Sequence, residues 1–90
     1  MRNNVMIIDE RDNVGVALRD LAAGEKILSR GVEGLTAKEE IPASHKVALC
    51  AIAAGEEIIK YGEVVGVSAH EIKRGGWVHT HNLESERWKK

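Results

Sequence analysis

The sequence predicts an all-β fold made of two similar halves, and three observations carry that prediction. The chain repeats itself at an interval of 31 residues, a tight-turn cadence recurs four times, and short alternating or β-branched apolar stretches fill the spaces between the turns. Shifting the sequence lays residues 17–47 on residues 48–78 without a gap, with 11 identities. The run Ala22-Ala23-Gly24-Glu25, returning as Ala53-Ala54-Gly55-Glu56, carries most of the signal. Self-similarity at a fixed period marks a structural unit used more than once.

The cadence is an apolar residue, two turn formers, a small residue, two further positions and another apolar residue. It runs over residues 21–27, 41–47, 52–58 and 72–78. A small residue at the fourth position, usually Gly, suits a turn that demands positive φ or close backbone approach, after which the chain starts a strand. Four such corners in 90 residues leave little room for long helices.

The first strand is expected at 14–18. Val14, Ala17, Leu18 and Leu21 also satisfy helical spacing. The strand is preferred because Val47, Leu49 and Ala51 alternate in the duplicated half, and because Gly15 inside a helix costs ~1 kcal/mol. Further strands are expected at 47–52, 58–59 and 64–67 from alternation and β-branching. Ser68-Ala69-His70-Glu71 is expected to form a short helical turn capped by Ser68, the one helical element the sequence suggests. Each half carries an apolar face and is too small to stand alone, so the halves are expected to bury those faces against each other about a pseudo-twofold axis. Residues 1–90 then form a single domain, since a chain this short supports one modest core.

Composition narrows the function. With 43% hydrophobic and 30% charged residues the chain is expected to fold. A net charge of -1 provides no field to gather nucleic acid or anionic lipid, and Tyr61, Trp77 and Trp88 are too few for a base-stacking platform. The lone Cys50, read as a small core residue, excludes an internal disulfide and a multi-cysteine zinc site, which suits the cytoplasm. No apolar run approaches the ~20 residues that span a bilayer, and the opening Met1-Arg2-Asn3-Asn4 lacks the apolar stretch of a signal peptide. Neither nucleic acid nor membrane is an expected partner.

The residues able to carry chemistry cluster in three places. In an extended chain His79 and His81 project from one face roughly 6.5–7 Å apart, so both imidazoles can reach one ligand or metal. As a metal site the pair is incomplete and needs a further donor, from Asp12, Glu63, another loop or another chain. Two imidazoles at this spacing also fit a surface or hydrogen-bonded structural role. Asn82 follows directly and can both donate to and accept from sugar hydroxyls or a carboxylate, or else close a strand end. His45-Lys46 pairs an imidazole with a cation just after a corner, where they can hold an anion or simply line a solvated edge. Asp12-Asn13 can bind a polar ligand, although such residues most often close a turn.

Four segments together resemble a known family. Asp12-Asn13-Val14-Gly15-Val16-Ala17-Leu18, Ile41-Pro42-Ala43-Ser44-His45-Lys46, Lys60-Tyr61-Gly62-Glu63-Val64-Val65-Gly66 and Val78-His79-Thr80-His81-Asn82-Leu83 are similar to the signature segments of the small domain of altronate dehydratases. The resemblance implies a SAF-type β-clip fold. It also implies kinship with altronate and galactarate dehydratases and with sulfolactate sulfo-lyase, in which a free-standing small subunit accompanies a large one. Residues 82–88 resemble the close of such subunits. Two departures stand out: Ser44 occupies a usual Gly position, which suggests a less strained corner, and Gly15 stands where Ala is common.

The same resemblance makes this chain a small subunit that works with a large dehydratase subunit and a divalent ion, Fe2+ or similar, on a sugar-acid substrate. It favours His79 and His81 as metal ligands, and His45, Lys46, Asn82, Asp12 and Asn13 as substrate contacts. Dehydration needs a base for the proton beside the carboxylate, an acid for the departing hydroxyl and a stabiliser of the developing charge. Ninety residues of shallow β corners do not supply the pocket for all of that. Two other readings stay open: a sulfolactate sulfo-lyase small subunit, whose matching segments are the same, and a non-catalytic carbohydrate-binding, carboxylate-binding or assembly module. Self-association through sheet edges is also compatible with the sequence.

Overall fold

A computed structural model describes residues 3–78 and the backbone of 83–84, and every regular element among them is a strand. β1 (Val5–Met6), β2 (Val14–Ala17), β3 (Lys46–Ala48) and β6 (Trp77–Val78) form one antiparallel sheet in the order β1-β2-β3-β6. β4 (Glu57–Lys60), β5 (Glu63–Ser68) and β7 (Leu83–Glu84) form a second, in the order β4-β5-β7. The all-β expectation holds, and the helical alternative for residues 14–21 gives way to β2. The expected helical turn after Ser68 is absent. Ser68 instead ends β5, and its hydroxyl donates to the His70 carbonyl.

The four corners share one backbone design. Gly24, Ser44, Gly55 and Gly75 have φ of 85°, 72°, 86° and 88°, each at the third position of a turn closed by a main-chain hydrogen bond. That is the type II geometry, which favours Gly there. Ser44 therefore does not relax its corner; it adopts the left-handed backbone that glycine supplies elsewhere, so this corner is the more strained of the four. Corners pair within each half: Leu21 and Ile41 exchange two hydrogen bonds of 2.8 and 2.9 Å, and Ile52 and Ile72 do the same at 2.9 and 2.8 Å. The Gly24 amide donates to Ala37 at 2.7 Å and the Gly55 amide to Ser68 at 2.7 Å, so the 31-residue repeat recurs bond for bond.

Strand alternation then places one core on each face of the four-stranded sheet. Each repeat buries its apolar face against that sheet, so the single shared core expected between the halves is not formed among the described residues. Val5, Ala17 and Val47 face Leu21, Ile27, Leu35, Ala37 and Ile41 of the first repeat. Val14, Ala48 and Val78 face Ile52, Ile58 and Ile72 of the second. The two lists correspond under the repeat except at Leu35 and Ala37, whose equivalents are Gly66 and Ser68, with Val5 and Val14 as the equivalent members from β1 and β2. Gly15 shows why Ala is not free to replace it here, because a Cβ would lie 2.5 Å from Val5 Cγ1. Cys50 is exposed rather than in the core, since the chain bends away after β3. Desolvation and the Glu56 carboxylate push its thiol up, which lowers its reactivity at neutral pH.

Candidate functional site

Asn13 sits just before β2, where the two sheets meet. Its amide nitrogen Nδ2 donates to the Glu57 carbonyl at 2.8 Å, and its Oδ1 accepts from the Ile59 amide at 2.7 Å. The side chain thereby imitates a peptide unit paired to β4. Asn4, which the sequence analysis did not single out, does the same in the first repeat, donating to Lys26 at 2.9 Å and accepting from Leu28 at 2.7 Å. The equivalence of Asn4-Val5 and Asn13-Val14 was the signal available in the sequence. It was hidden because these residues lie 9 apart, outside the 31-residue repeat.

Asp12 gathers backbone amides. Its carboxylate accepts from Gly62 at 2.7 Å, Asp9 at 3.1 Å and Ile8 at 3.3 Å, tying the loop before β2 to the β4–β5 turn. Burial pushes its carboxyl up, but amide bonds from Gly62, Asp9, Tyr61 and Ile8 outweigh burial and hold it below the ordinary carboxylate range. Beside it, the guanidinium of Arg11 holds Asp9 at about 2. The polar atoms of Asp12 and Asn13 are thus already engaged in holding the second hairpin.

His45 and Lys46 are neighbours in sequence and leave opposite faces of the sheet. The exposed His45 ring meets Trp77 edge to face, with centroids 5.3 Å apart and planes at 82°. Trp77 Nε1 donates to His45 Nδ1 at 3.3 Å, which assigns Nδ1 as acceptor and leaves Nε2 to carry the outward-facing proton. Trp77 packs against the first core and was not foreseen as a partner of His45. Lys46 shares the other face with Val14, Ala48 and Val78 and pairs across the sheet with Val16 and Val78. Its half-buried ammonium pairs with no carboxylate of the described residues, and burial followed by the charge of Lys60 holds its pKa below the ordinary lysine value. Such a cation is stabilised wherever an anion reaches it.

His79, His81 and Asn82 lie outside the described residues. They fall between Val78, which pairs with Lys46, and Leu83, which pairs with Ser68. Among the described residues no three His, Cys, Asp or Glu side chains converge to hold a metal, so the described surface alone does not fit an iron site. A surface depression of 340 Å³ is lined by the carboxylates of Asp20, Glu25 and Glu40, which suit no anionic substrate. No helix among the described residues is long and apolar enough to cross a membrane.

Comparisons with known proteins place the sequence in a family. The sequence family described as altronate/galactarate dehydratase SAF domain matches residues 3–86. Over 54 residues the chain is 52% identical to (2R)-sulfolactate sulfo-lyase subunit alpha of Paracoccus pantotrophus, an alignment covering 60% of this chain and 81% of that one. It is 44% identical over 71 residues to galactarate dehydratase (L-threo-forming) of Escherichia coli (strain K12), covering 79% of this chain but 13% of that protein. An alignment of 94 positions at 30% identity covers 98% of this chain and 100% of (2R)-sulfolactate sulfo-lyase subunit alpha of Chromohalobacter salexigens. The chain therefore spans most or all of the short relatives and a small part of the long one.

Proposed function

Because the chain belongs to the altronate/galactarate dehydratase SAF-domain family, we propose that it is the small subunit of a hydroxy-acid lyase and acts in the cytoplasm with a larger chain. The observation that carries this reading is the match to relatives named as subunit alpha over 81% and 100% of their length. The leading substrate is a sugar acid of the altronate or galactarate type, losing water. The second reading, loss of sulfite from sulfolactate, is favoured by those same matches, since both relatives are named as sulfo-lyase subunits. Both reactions remove the proton beside a carboxylate and expel a group from the next carbon, so one anion-holding subunit serves either.

In this reading Lys46 holds the substrate carboxylate as a point charge, while His45, on the opposite face of the sheet and engaged by Trp77, does not share that contact. Asn82 contacts hydroxyls. His79 and His81 contribute to a divalent-ion site that needs donors from the larger chain. Fe2+ or a similar ion bound there would supply positive charge opposite the negative charge that develops on substrate. Asp12 and Asn13 are assigned as positioning residues, since their polar atoms hold the second hairpin.

The test is reconstitution. A candidate larger chain is assayed with altronate, galactarate and sulfolactate, alone and with this chain as wild type or His81→Ala. The expected result is activity on one substrate that requires the wild-type small chain and falls at least tenfold with the variant. Full activity of the larger chain alone on all three would overturn the reading.

A further inference from the structure

The two repeats build the same hairpin and finish it differently. In the first, Ser29 bridges Val32 around Arg30-Gly31, and the Ile27 amide donates to Leu35. In the second, Lys60 pairs with Glu63 around Tyr61-Gly62, and Ile58 pairs with Gly66. Both carry one extra residue on the returning strand, Gly34 in the first and Val65 in the second. Where the first has Arg30, Glu33 and Gly34, the second has Tyr61, Val64 and Val65, which are 43%, 46% and 37% exposed. Three apolar side chains thus face water at one tip, and the equally exposed equivalents at the other, Arg30, Glu33 and Gly34, include no apolar side chain.

This tip is also strained and held. Tyr61 has φ of 56° and Gly62 of 76°, the two-residue turn that normally takes Asn-Gly. A bulky residue in the left-handed region costs roughly 1–2 kcal/mol, and an aromatic kept there against that cost points to a use for the ring. Lys60 Nζ lies 4.9 Å from the ring centroid. Asp12 clamps the turn from behind, and a Cβ on Gly62 would lie 2.7 Å from Asp9 Oδ2, whereas around Gly31 of the first hairpin there is open space.

Resting on the small-subunit reading, the geometry points to the β4–β5 tip as the contact that docks this chain onto the larger lyase chain. Three half-exposed side chains are by themselves far too few for the ~800 Å² per partner of any stable interface. They fit instead as an aromatic-centred anchor within a wider surface. A larger chain supplies that surface: the short relatives are named as subunit alpha, and in galactarate dehydratase the aligned stretch is 13% of a longer protein.

Binding of the full chain to the larger chain it activates is measured for wild type, Val64→Glu/Val65→Thr, Tyr61→Asn and, as a control on the first hairpin, Glu33→Gln. Both tip variants should weaken Kd at least tenfold while the control stays within twofold. Tyr61→Asn should also raise Tm, because Asn suits the turn, so its lost affinity cannot come from misfolding. Tip variants that bind within twofold of wild type overturn the docking inference and leave the small-subunit reading standing. A wild-type chain that binds and activates no larger chain overturns both, and a self-dimer dissolved by the tip substitutions overturns the choice of partner.

Discussion

In the first repeat the hairpin sends Leu35 into the core, where it is 2% exposed, and Ala37 beside it is buried as well. In the second repeat the equivalent positions hold Gly66 and Ser68, while Val64 and Val65 on the same strand face solvent. The backbone is conserved between the halves and the apolar side chains are not: one hairpin serves its core, and the other keeps a leaner core and carries its β-branched residues outward. A duplicated unit thus divides its labour while keeping its four corners, and changes the turn at one hairpin tip, where Tyr61 has positive φ and Arg30 does not. Stability rests more heavily on the first half, and recognition is assigned to the second.

The largest expected effect that tests this division lies in the two asparagine clips. Asn4→Ala removes a side chain 3% exposed and leaves the Leu28 amide and Lys26 carbonyl unpaired, which should cost about 2–3 kcal/mol. Asn13→Ala breaks the matching pair at a half-buried position and should cost about 1–2 kcal/mol. Urea denaturation of both variants decides this; a larger loss at Asn13 would break the ranking of the halves.

A smaller effect is expected at the corner where a serine adopts the glycine backbone. Ser44→Gly relieves left-handed strain at φ 72° and should stabilise the fold by about 0.5–1 kcal/mol after the added entropy of the unfolded chain. A fall in Tm would show that the Ser44 side chain contributes something the strain argument omits.

Much of the fold was legible because the repeat and the turns depend on local chemistry. A small residue after two turn formers is a backbone requirement, and all four corners met it, Ser44 included. β2, β3, β4 and β5 followed from alternation between those corners. β1 and β7 were not foreseen, since each is two residues long and lies outside the repeated stretch. The candidate site was less legible. That Lys46 and His45 part to opposite faces follows from strand alternation and was available in principle. The Trp77 contact with His45 needed the β3–β6 register. Cys50 was misplaced because an apolar neighbourhood in sequence does not show where the chain bends away from the core.

Hydrogen exchange of this chain with and without the larger lyase chain tests the division most directly. The account predicts new protection of amides at 61–65, with those of 30–34 unchanged. Equal protection of both hairpins, or protection of the first alone, would contradict it.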